Sequence, residues 1–234
     1  MRKKKILIVE DDRSLAGIME YNFSNADYEV FCAYDGQDGI NQARNKQPDI
    51  ILLDLMIPVV DGIDVCRQLR SERGTRETPI MMLTAKAEET DQLIGFSVGA
   101  DDYVVKPFSV RVLLERVKSL LRRHHRTNGP GGDIVSHGPI TVDRSKHRAT
   151  VEGRIVDLTP SEFRLLDTLI RTPGRAYDRA ELIDSALGAD TLVLERTIDV
   201  HIRSLRKKLG NSASRVQTVR GVGYRFCEEN PTEV

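Results

Sequence analysis

Short apolar runs alternate with amphipathic segments through the first half of the chain. Uninterrupted apolar runs at 6–9, 50–53 and 80–83 are typical of strands buried on both faces of a parallel sheet. Shorter strands are predicted at 28–33 and 103–105. The predicted helices lie between and after these strands, at 15–23, 36–46, 65–69, 88–98 and 110–123. This alternation predicts an α/β doubly wound domain, a (βα)5 arrangement around a parallel sheet.

The second half of the chain has a different order of elements. Short strands precede a series of helices, and a β-hairpin follows them. Thr159, Pro160 and Glu162 form a capping-box pattern at the start of the first helix. The predicted elements are strands at 140–142, 149–151 and 155–156, helices from 160, at 179–187 and at 194–209, and hairpin strands at 216–219 and 224–226. This order predicts a C-terminal winged helix-turn-helix domain.

The segment between these two patterns contains Gly and Pro but no apolar periodicity, which is typical of a flexible linker. The predicted organisation is a first domain at 1–123, a linker at 124–133, a second domain at 134–228 and a C-terminal tail at 229–234. No apolar run approaches the roughly 18 residues of a membrane span. The three isolated cysteines indicate a reducing compartment, so we expect a cytoplasmic protein without a membrane partner.

Polar side chains follow four of the predicted strands of the first domain. They are Glu10, Asp11, Asp54, Thr84 and Lys106. The carboxyl ends of parallel strands meet at one edge of a sheet, so these side chains are expected to converge. Grouped carboxylates favour Mg²⁺, Asp54 is a candidate nucleophile toward phosphorus, and Lys106 and Thr84 suit phosphoryl oxygens. Each residue alone also has a structural explanation, because strand-end acids often cap helices and a single Thr or Lys is commonly structural or solvated.

Positive charge is concentrated near the end of the chain. The formal net charge is zero, yet residues 196–225 hold eight Lys and Arg and a single acid, Asp199. On a helix at 194–209, the face opposite the apolar one carries Arg196, Val200, Arg203 and Lys207, with Ser204 beside them. Such a face suits a DNA major groove, where Arg reads guanine, Val contacts a thymine methyl and Lys contacts phosphate. The alternative is a solvated basic helix.

The motifs ILIVEDD, DIILLDLMIP, LTA and GADDYVVKPF together resemble the receiver domain of two-component response regulators. The resemblance implies that Asp54 accepts a phosphoryl group from a sensor histidine kinase. It also implies an Mg²⁺ ion bound by Asp11, Asp54 and the backbone carbonyl of Met56, with Glu10 completing the acidic pair. Asp12 is a third acid, which we expect at the rim of the site.

The resemblance covers residues 4–123 and assigns roles to the later strand ends as well. Thr84 and Lys106 would bind the phosphoryl group, and Tyr103 would be the switch aromatic that turns inward after phosphorylation. The sequence leaves open whether the peptide bond between Lys106 and Pro107 is cis.

Two further segments, RTIDVHIRSLRKKLG and VQTVRGVGYRF, resemble the effector domain of the OmpR/PhoB subfamily. The residues that the resemblance assigns to DNA are Arg196, Thr197, His201, Arg203, Ser204, Lys207, Thr218 and Arg220. Ser204 stands where a second Arg is common in such proteins, so we expect a different base sequence to be read. The loop at 186–194 would contact RNA polymerase.

In the same subfamily, phosphorylated receivers form a homodimer. The charged residues that match this dimer face are Asp101, Asp102, Arg116 and Arg123. Gln92 and Val112 stand where a basic and an acidic partner are common, so one ion pair is expected to be absent. Exposed ion pairs contribute roughly 0–1 kcal/mol, and dimerisation is expected to survive this loss. The alternative is that the four charges are solvated surface residues.

The leading hypothesis is a phosphorylation-activated transcriptional regulator that binds double-stranded promoter DNA as a dimer and catalyses at most its own phosphotransfer and dephosphorylation. A constitutive DNA-binding regulator with a receiver used only for dimerisation is an alternative. A phosphohydrolase of the haloacid dehalogenase type is another, but it needs a second Asp two residues after the nucleophile, where this chain has Met56.

Overall fold

The protein is described here by a computed structural model. The residues that it describes are 2–84, 99–125, 133–186 and 196–227. The chain divides into two compact units, residues 1–123 and 124–234, and each has its own apolar core. The helix predicted at 88–98 and the predicted tail lie outside the described residues. Within the described stretches, no helix has both the length and the apolar character that a membrane span requires.

A parallel five-stranded sheet forms the centre of the first unit. Its strands are β1 (Lys4–Val9), β2 (Tyr28–Ala33), β3 (Ile50–Asp54), β4 (Ile80–Thr84) and β5 (Asp102–Val105). The described helices of this unit are α1 (Arg13–Asn25), α2 (Gly36–Lys46), α3 (Gly62–Ser71) and α4 (Val110–His125). The strand order β2-β1-β3-β4-β5 confirms the predicted doubly wound sheet, and it reverses direction between β1 and β3. Ligands of such sheets bind at the carboxyl ends of the strands beside this reversal.

The middle strands of this sheet are buried because each lies between two neighbouring strands. All five residues of β3 and all five of β4 are buried. Both strands end on a polar residue, Asp54 in β3 and Thr84 in β4, which the apolar pattern had placed just beyond each strand. The sheet therefore delivers both side chains to its carboxyl edge from a rigid backbone.

Arg70, near the end of α3, fixes the connection between α3 and β4. Its guanidinium donates hydrogen bonds to the backbone carbonyl oxygens of Arg76 at 2.8 Å, Thr78 at 2.7 Å and Gly99 at 2.8 Å. It also donates to a carboxylate oxygen of Asp101 at 2.7 Å. The Arg70 side chain is only 7% exposed. One buried guanidinium thus holds three separate points of the backbone together.

The second unit combines two small antiparallel sheets with a helical core. Its described strands are β6 (Ile134–His137), β7 (Ile140–Asp143), β8 (Arg148–Val151), β9 (Arg154–Val156), β10 (Tyr177–Asp178), β11 (Val216–Val219) and β12 (Gly223–Phe226). Its described helices are α5 (Pro160–Ile170), α6 (Arg179–Ala186) and α7 (Arg196–Leu209). Strands β6 to β9 form one sheet in chain order, and the other has the order β10-β12-β11. The arrangement is the predicted winged helix-turn-helix.

The start of α5 has the predicted capping box. The Thr159 side chain accepts a hydrogen bond from the backbone N–H of Glu162, and the Glu162 carboxylate accepts one from the backbone N–H of Thr159 at 2.7 Å. Apolar residues of α5, α6, α7 and β12 pack beneath this helix start. They include Leu165, Leu166, Leu169, Leu182, Ile198, Ile202, Leu205 and Phe226.

Some observed elements have no counterpart among the predicted ones. They are β6, β10 and a 3₁₀ helix at Gly210–Arg215. In addition, α4 continues to His125, and the carbonyl of Asp133 accepts a hydrogen bond from the N–H of Arg144 at 2.7 Å. Both ends of the predicted linker therefore belong to the two units.

Candidate functional site

Three carboxylates meet where the strand order of the first unit reverses. Glu10 follows β1, Asp11 comes next, and Asp54 ends β3. One oxygen of each carboxylate lies within 4.8 Å of the others. Glu10 is 1% exposed and Asp54 is 4% exposed, whereas Asp11 is exposed. This is the acidic cluster expected from the strand ends.

The ammonium group of Lys106 lies between two of these acids. Its Nζ donates hydrogen bonds to Glu10 Oε2 at 2.6 Å and to Asp54 Oδ2 at 2.7 Å. Burial opposes the charge of Lys106, but the hydrogen bonds and charges of Asp54 and Glu10 outweigh it and raise the pKa of Lys106. Burial also raises the pKa of Glu10 to about 7, with Asp54 adding to the effect and Lys106 opposing it. The peptide bond between Lys106 and Pro107 is cis.

The other strand-end residues are buried beside this cluster. Thr84 is 1% exposed, and its backbone carbonyl accepts a hydrogen bond from the N–H of Lys106 at 2.6 Å. Tyr103 on β5 is 3% exposed, so its ring is already buried in this structure. In the sheet register Tyr103 is opposite Met82 and Thr84 is opposite Val105, so the two side chains belong to neighbouring strands.

Asp12 has the capping role that was the structural alternative for the strand-end acids. Its carboxylate accepts hydrogen bonds from the backbone N–H groups of Ser14 at 2.8 Å and Leu15 at 3.2 Å. It is therefore the N-cap of α1. Its side chain is exposed, as expected for a residue at the rim.

The loop after β3 is held tightly at both ends, a feature that the sequence pattern did not reveal. The backbone N–H of Gly62 donates to the carbonyl of Leu55 at 3.0 Å, and the N–H of Gly36 donates to the carbonyl of Pro58 at 3.1 Å. A Cβ atom at Gly62 would lie 2.2 Å from the carbonyl oxygen of Asp54. A Cβ at Gly36 would lie 2.0 Å from the carbonyl oxygen of Val60.

Within this loop Val59 has an unusual backbone conformation. Its φ angle is 72°, and the N–H of Val60 donates to the carbonyl of Pro58 at 2.9 Å, which defines a γ-turn around Val59. A γ-turn with positive φ is rare and strained, and a β-branched residue adds to the strain. The side chain of Val59 is 78% exposed. Met56, in the same loop, has an exposed side chain, and its N–H donates to Asp54 Oδ1 at 3.1 Å.

Three of the four charged residues predicted for a dimer face, Asp101, Asp102 and Arg116, pair within the described part of the chain. Asp101 is fully buried, and its carboxylate accepts from Arg70 and from the N–H of Ile80 at 3.0 Å. Asp102, 1% exposed, pairs with Arg116 at 3.2 Å. These contacts correct the exposed placement that the prediction assumed. The side chains at 92 and 123 lie outside the described part of the chain, and Val112 is exposed.

Helix α7 presents part of its predicted basic face to solvent. Arg203 and Lys207 are exposed, and Val200 is half-buried. Thr197 and His201, which were assigned to DNA by resemblance, are 0% and 1% exposed. They face the core with Ile198 and Ile202, so the structure corrects their predicted exposure. The side chain of residue 196 lies outside the described part.

Two other residues assigned to DNA make contacts inside the unit. The hydroxyl of Ser204 donates to Glu162 Oε1 at 2.6 Å. The Thr218 hydroxyl accepts from the guanidinium of Arg206 at 2.9 Å. By contrast, Arg220 is exposed in the turn between β11 and β12.

A polar contact missed by sequence reasoning joins α7 to β12. The hydroxyl of Tyr224 donates to Asp199 Oδ1 at 2.7 Å, and Arg179 Nε donates to the same oxygen at 2.9 Å. The guanidiniums of Arg179 and Arg206 each lie 5.5 Å from the centre of the Tyr224 ring. Burial and the hydrogen bond to Asp199 raise the pKa of Tyr224 to about 12. The sequence contained one indication of this contact, because Asp199 is the single acid among residues 196–225.

These two units define a class of protein, in which a doubly wound domain with an acidic crevice is joined to a winged helix-turn-helix. Residues 6–118 match the family described as "Response regulator receiver domain". Residues 153–226 match the family described as "Transcriptional regulatory protein, C terminal". The chain belongs to the OmpR/PhoB family of response regulators.

Similar proteins agree with this family over nearly the whole chain. The phosphate regulon transcriptional regulatory protein PhoB of Rhizobium meliloti (strain 1021) is 42% identical over 222 residues, covering 94% of this chain and 97% of that protein. The transcriptional regulatory protein ResD of Bacillus subtilis (strain 168) is 40% identical over 231 residues, covering 95% of each. The chain is therefore a transcriptional response regulator of a two-component system.

Solved structures give the same result. The structure of a RitR mutant matches with a TM-score of 0.78 and 25% identity, covering 97% of this chain and all of that one. The structure of DrrB, a Thermotoga maritima OmpR/PhoB homolog, matches with a TM-score of 0.51 and 28% identity over the same shares.

Proposed function

We propose that Asp54 is the phosphoacceptor of this regulator and that a sensor histidine kinase is the donor. A carboxylate oxygen of Asp54 attacks phosphorus, the bond from phosphorus to the kinase histidine nitrogen breaks, and that nitrogen keeps the electron pair. The proposal rests on one observation above all, the contact of Lys106 with Asp54 at 2.7 Å and Glu10 at 2.6 Å. This ammonium is held where the charge of a phosphoryl group would arrive.

The same site has the donor set of a magnesium site. Carboxylate oxygens of Glu10, Asp11 and Asp54 lie within 4.8 Å of one another, and oxygen-only ligands suit Mg²⁺. These residues and the Met56 carbonyl would hold the ion. Bound Mg²⁺ would neutralise charge on the phosphoryl oxygens. The exposure of Asp11 leaves that side of the cluster open to solvent and to a donor.

Phosphorylation would then act as a local switch. The phosphoryl group carries a charge of roughly −1.5 to −2, which replaces the single negative charge of the Asp54 carboxylate beside Glu10 and Asp11. Lys106 would turn from Glu10 toward the phosphoryl oxygens, and the Thr84 hydroxyl would donate to one of them. Tyr103, on the neighbouring strand, would repack against the displaced Thr84.

The signal would reach DNA through dimerisation. Asp102 of β5 and Arg116 of α4 lie on the elements that we assign to the dimer face, with Arg123 completing it. A homodimer would place two α7 helices on repeated DNA sites. Each helix would contact the major groove through Arg203, Lys207 and Val200, with Arg196 at its start, and Arg220 would meet the backbone or the minor groove. The segment at 186–194, which lies outside the described residues from 187 onward, would contact RNA polymerase.

A gel-shift titration with and without acetyl phosphate tests this proposal. The wild-type protein should bind DNA selected from a random pool more tightly after acetyl phosphate and Mg²⁺ are added. The Asp54→Asn variant keeps the shape of the side chain and should show no such gain. If this variant gains affinity as the wild type does, the proposed switch is wrong. If the wild type binds strongly without any gain, the constitutive regulator is the better description.

A further inference from the structure

The second unit contains a buried carboxylate that touches two residues of α7. Glu162 is 2% exposed and lies in the first turn of α5. Its Oε1 accepts from the Ser204 hydroxyl at 2.6 Å. Its Oε2 accepts from Lys208 Nζ at 2.6 Å and from the N–H of Thr159 at 2.7 Å. One carboxylate thus completes the capping box of α5 and also contacts two residues of α7, Ser204 and Lys208, that lie one helical turn apart.

Two neighbouring lysines of α7 consequently differ in their surroundings. Lys207 is exposed on the basic face with Arg203. The Lys208 side chain is 32% exposed, and its ammonium is paired with a carboxylate whose side chain is 3% exposed. Both lysines are exposed as residues, but the positive charge of Lys208 is balanced by the buried carboxylate of Glu162, whereas Lys207 lies on the basic face.

We propose that Glu162 is a positioning residue that sets the rotation of the DNA-reading helix α7. Ser204 and Lys208 serve this contact and do not read or bind DNA. The inference rests on the proposed function, because it assumes that α7 reads DNA. It goes beyond that function by naming what orients the helix and by removing Ser204, which the resemblance assigned to DNA, from the interface.

The geometry explains why rotation matters for base reading. The side-chain surface of a helix lies about 5 Å from its axis, so a rotation of about 20° moves it by about 2 Å. Hydrogen bonds to base edges are lost at such a displacement, because their donor and acceptor must approach within about 3.2 Å. Contacts of long Lys side chains with phosphate tolerate it. Loosening the Glu162 contact should therefore weaken binding to the selected site and leave binding to unrelated DNA unchanged.

The two lysines provide a matched experiment in the full-length protein. Lys207→Gln and Lys208→Gln are the same chemical change at adjacent positions. Affinity is measured against salt concentration for DNA selected by the wild type and for a scrambled duplex of equal length, after acetyl phosphate treatment. Ser204→Ala is a milder second variant, and circular dichroism checks that each protein is folded.

We expect Lys207→Gln to flatten the slope of log affinity against log salt by about 0.9 on both duplexes, as loss of one phosphate contact does. We expect Lys208→Gln to leave both slopes and the scrambled-DNA affinity unchanged. Its preference for the selected site should fall at least about fivefold, within the cost of one mismatched base pair. Ser204→Ala should lower the preference in the same way but less.

Removing the charge of Glu162 as well should rescue the preference for the selected site that Lys208→Gln loses. Gln also closes a capping box, so Glu162→Gln combined with Lys208→Gln should restore most of the preference. The inference is overturned if Lys208→Gln flattens the salt slope. It is also overturned if Lys208→Gln and Ser204→Ala both keep the preference for the selected site, or if the double variant does not recover it. If the wild type itself fails to bind DNA, the proposed function fails and this inference fails with it. If the wild type binds DNA and only the variants at Ser204, Lys208 and Glu162 depart from these expectations, the proposed function stands.

Discussion

At the scale of single residues, the acidic crevice separates two adjacent aspartates by role. Asp11 contributes an oxygen to the cluster with Glu10 and Asp54, while Asp12 accepts two backbone N–H groups at the start of α1. Sequence order alone does not separate them, because Asp is common both as a helix cap and as a metal ligand. The difference follows from where the backbone turns after β1.

This separation gives a test of the magnesium site. Asp11→Asn removes one carboxylate of the cluster, and we expect Mg²⁺ affinity to fall at least about tenfold, since even outer-shell changes cost 10–100-fold. Asp12→Asn is the matched control, because Asn caps helices as well as Asp does and should leave the affinity unchanged. Isothermal titration calorimetry measures both. Equal losses in the two variants would contradict the assignment.

Val59 carries a second prediction at this scale. Strained positive-φ residues cost about 1–3 kcal/mol, and Gly removes that cost while adding about 0.4–1 kcal/mol of unfolded-chain entropy. Val59→Gly should therefore raise the free energy of unfolding of the first unit by about 1 kcal/mol. Val59→Ala keeps the positive φ and should give no such gain. Hydrogen exchange of the β3 amides reports the difference, and a destabilised Gly variant would refute the strain.

At the scale of elements, hydrogen bonds of two tyrosine hydroxyls anchor strands of the second unit. Tyr224 of β12 donates to the charged Asp199 of α7, whereas the hydroxyls of Tyr177 and Thr172 form a neutral pair at 2.6 Å. Hydrogen bonds to charged groups contribute about 1.5–3 kcal/mol and neutral ones about 0.5–1.5 kcal/mol. The first contact should therefore hold β12 against α7 more strongly than the second holds β10 against the segment that follows α5.

Removing each hydroxyl tests this ranking. Tyr224→Phe should lower the free energy of unfolding by about 2 kcal/mol and Tyr177→Phe by about 1 kcal/mol. Urea unfolding followed by circular dichroism measures both. Equal effects would show that Arg179 alone satisfies Asp199 and that the Tyr224 hydroxyl adds little.

Elements with strong local signals were predicted well. The bounds of β2 and α2 match the prediction residue for residue, and the capping box at Thr159 is present. The missed strands are defined by distant partners. The two residues of β10 become a strand only because Tyr177 pairs with Tyr224. In the same way, neither the exposed Ile134 of β6 nor its short apolar pattern indicates pairing with β7.

The candidate site shows the same division between local and distant information. Strand ends indicated Asp54, Thr84 and Lys106 correctly as neighbours, because a parallel sheet aligns its carboxyl ends. The sequence could not indicate that Asp101 is buried by Arg70, since the partner lies 31 residues earlier and on another element. Helical periodicity placed Arg203 and Lys207 on the outer face, whereas Thr197 and His201, two residues of α7 that were assigned to DNA only by resemblance, proved buried.

At the scale of the whole molecule, the chain has no net charge, but its positive charge is concentrated in one stretch that should control DNA binding. The net charge is zero, while residues 196–225 hold eight basic residues and one acid. Four of these basic residues belong to the proposed interface: Arg196, Arg203, Lys207 and Arg220. If each of these four charges neutralises one phosphate, at about 0.9 per phosphate, each protomer should give a slope of about −3.6 for log affinity against log salt.

Dimerisation should appear in the same measurement. If phosphorylation brings two protomers onto one duplex, the slope should steepen to about −7, because twice as many phosphates are contacted. Fluorescence anisotropy over a salt series, with and without acetyl phosphate, measures this change. An unchanged slope after phosphorylation would argue that a single protomer binds.

The buried guanidinium of Arg70 has a consequence for how this chain can diverge. In the loop between α3 and β4 it binds the carbonyl oxygens of Arg76 and Thr78, which every amino acid possesses. The path of this loop therefore depends on Arg70 and on the buried hydroxyl of Thr75, which donates to the carbonyl of Leu69 at 2.8 Å, and not on the side chains at 76 and 78. Substitutions at 76 and 78 can therefore accumulate without moving β4. The surface of this loop can change its charge and shape while Asp54 and Thr84 stay in place at the carboxyl edge of the sheet.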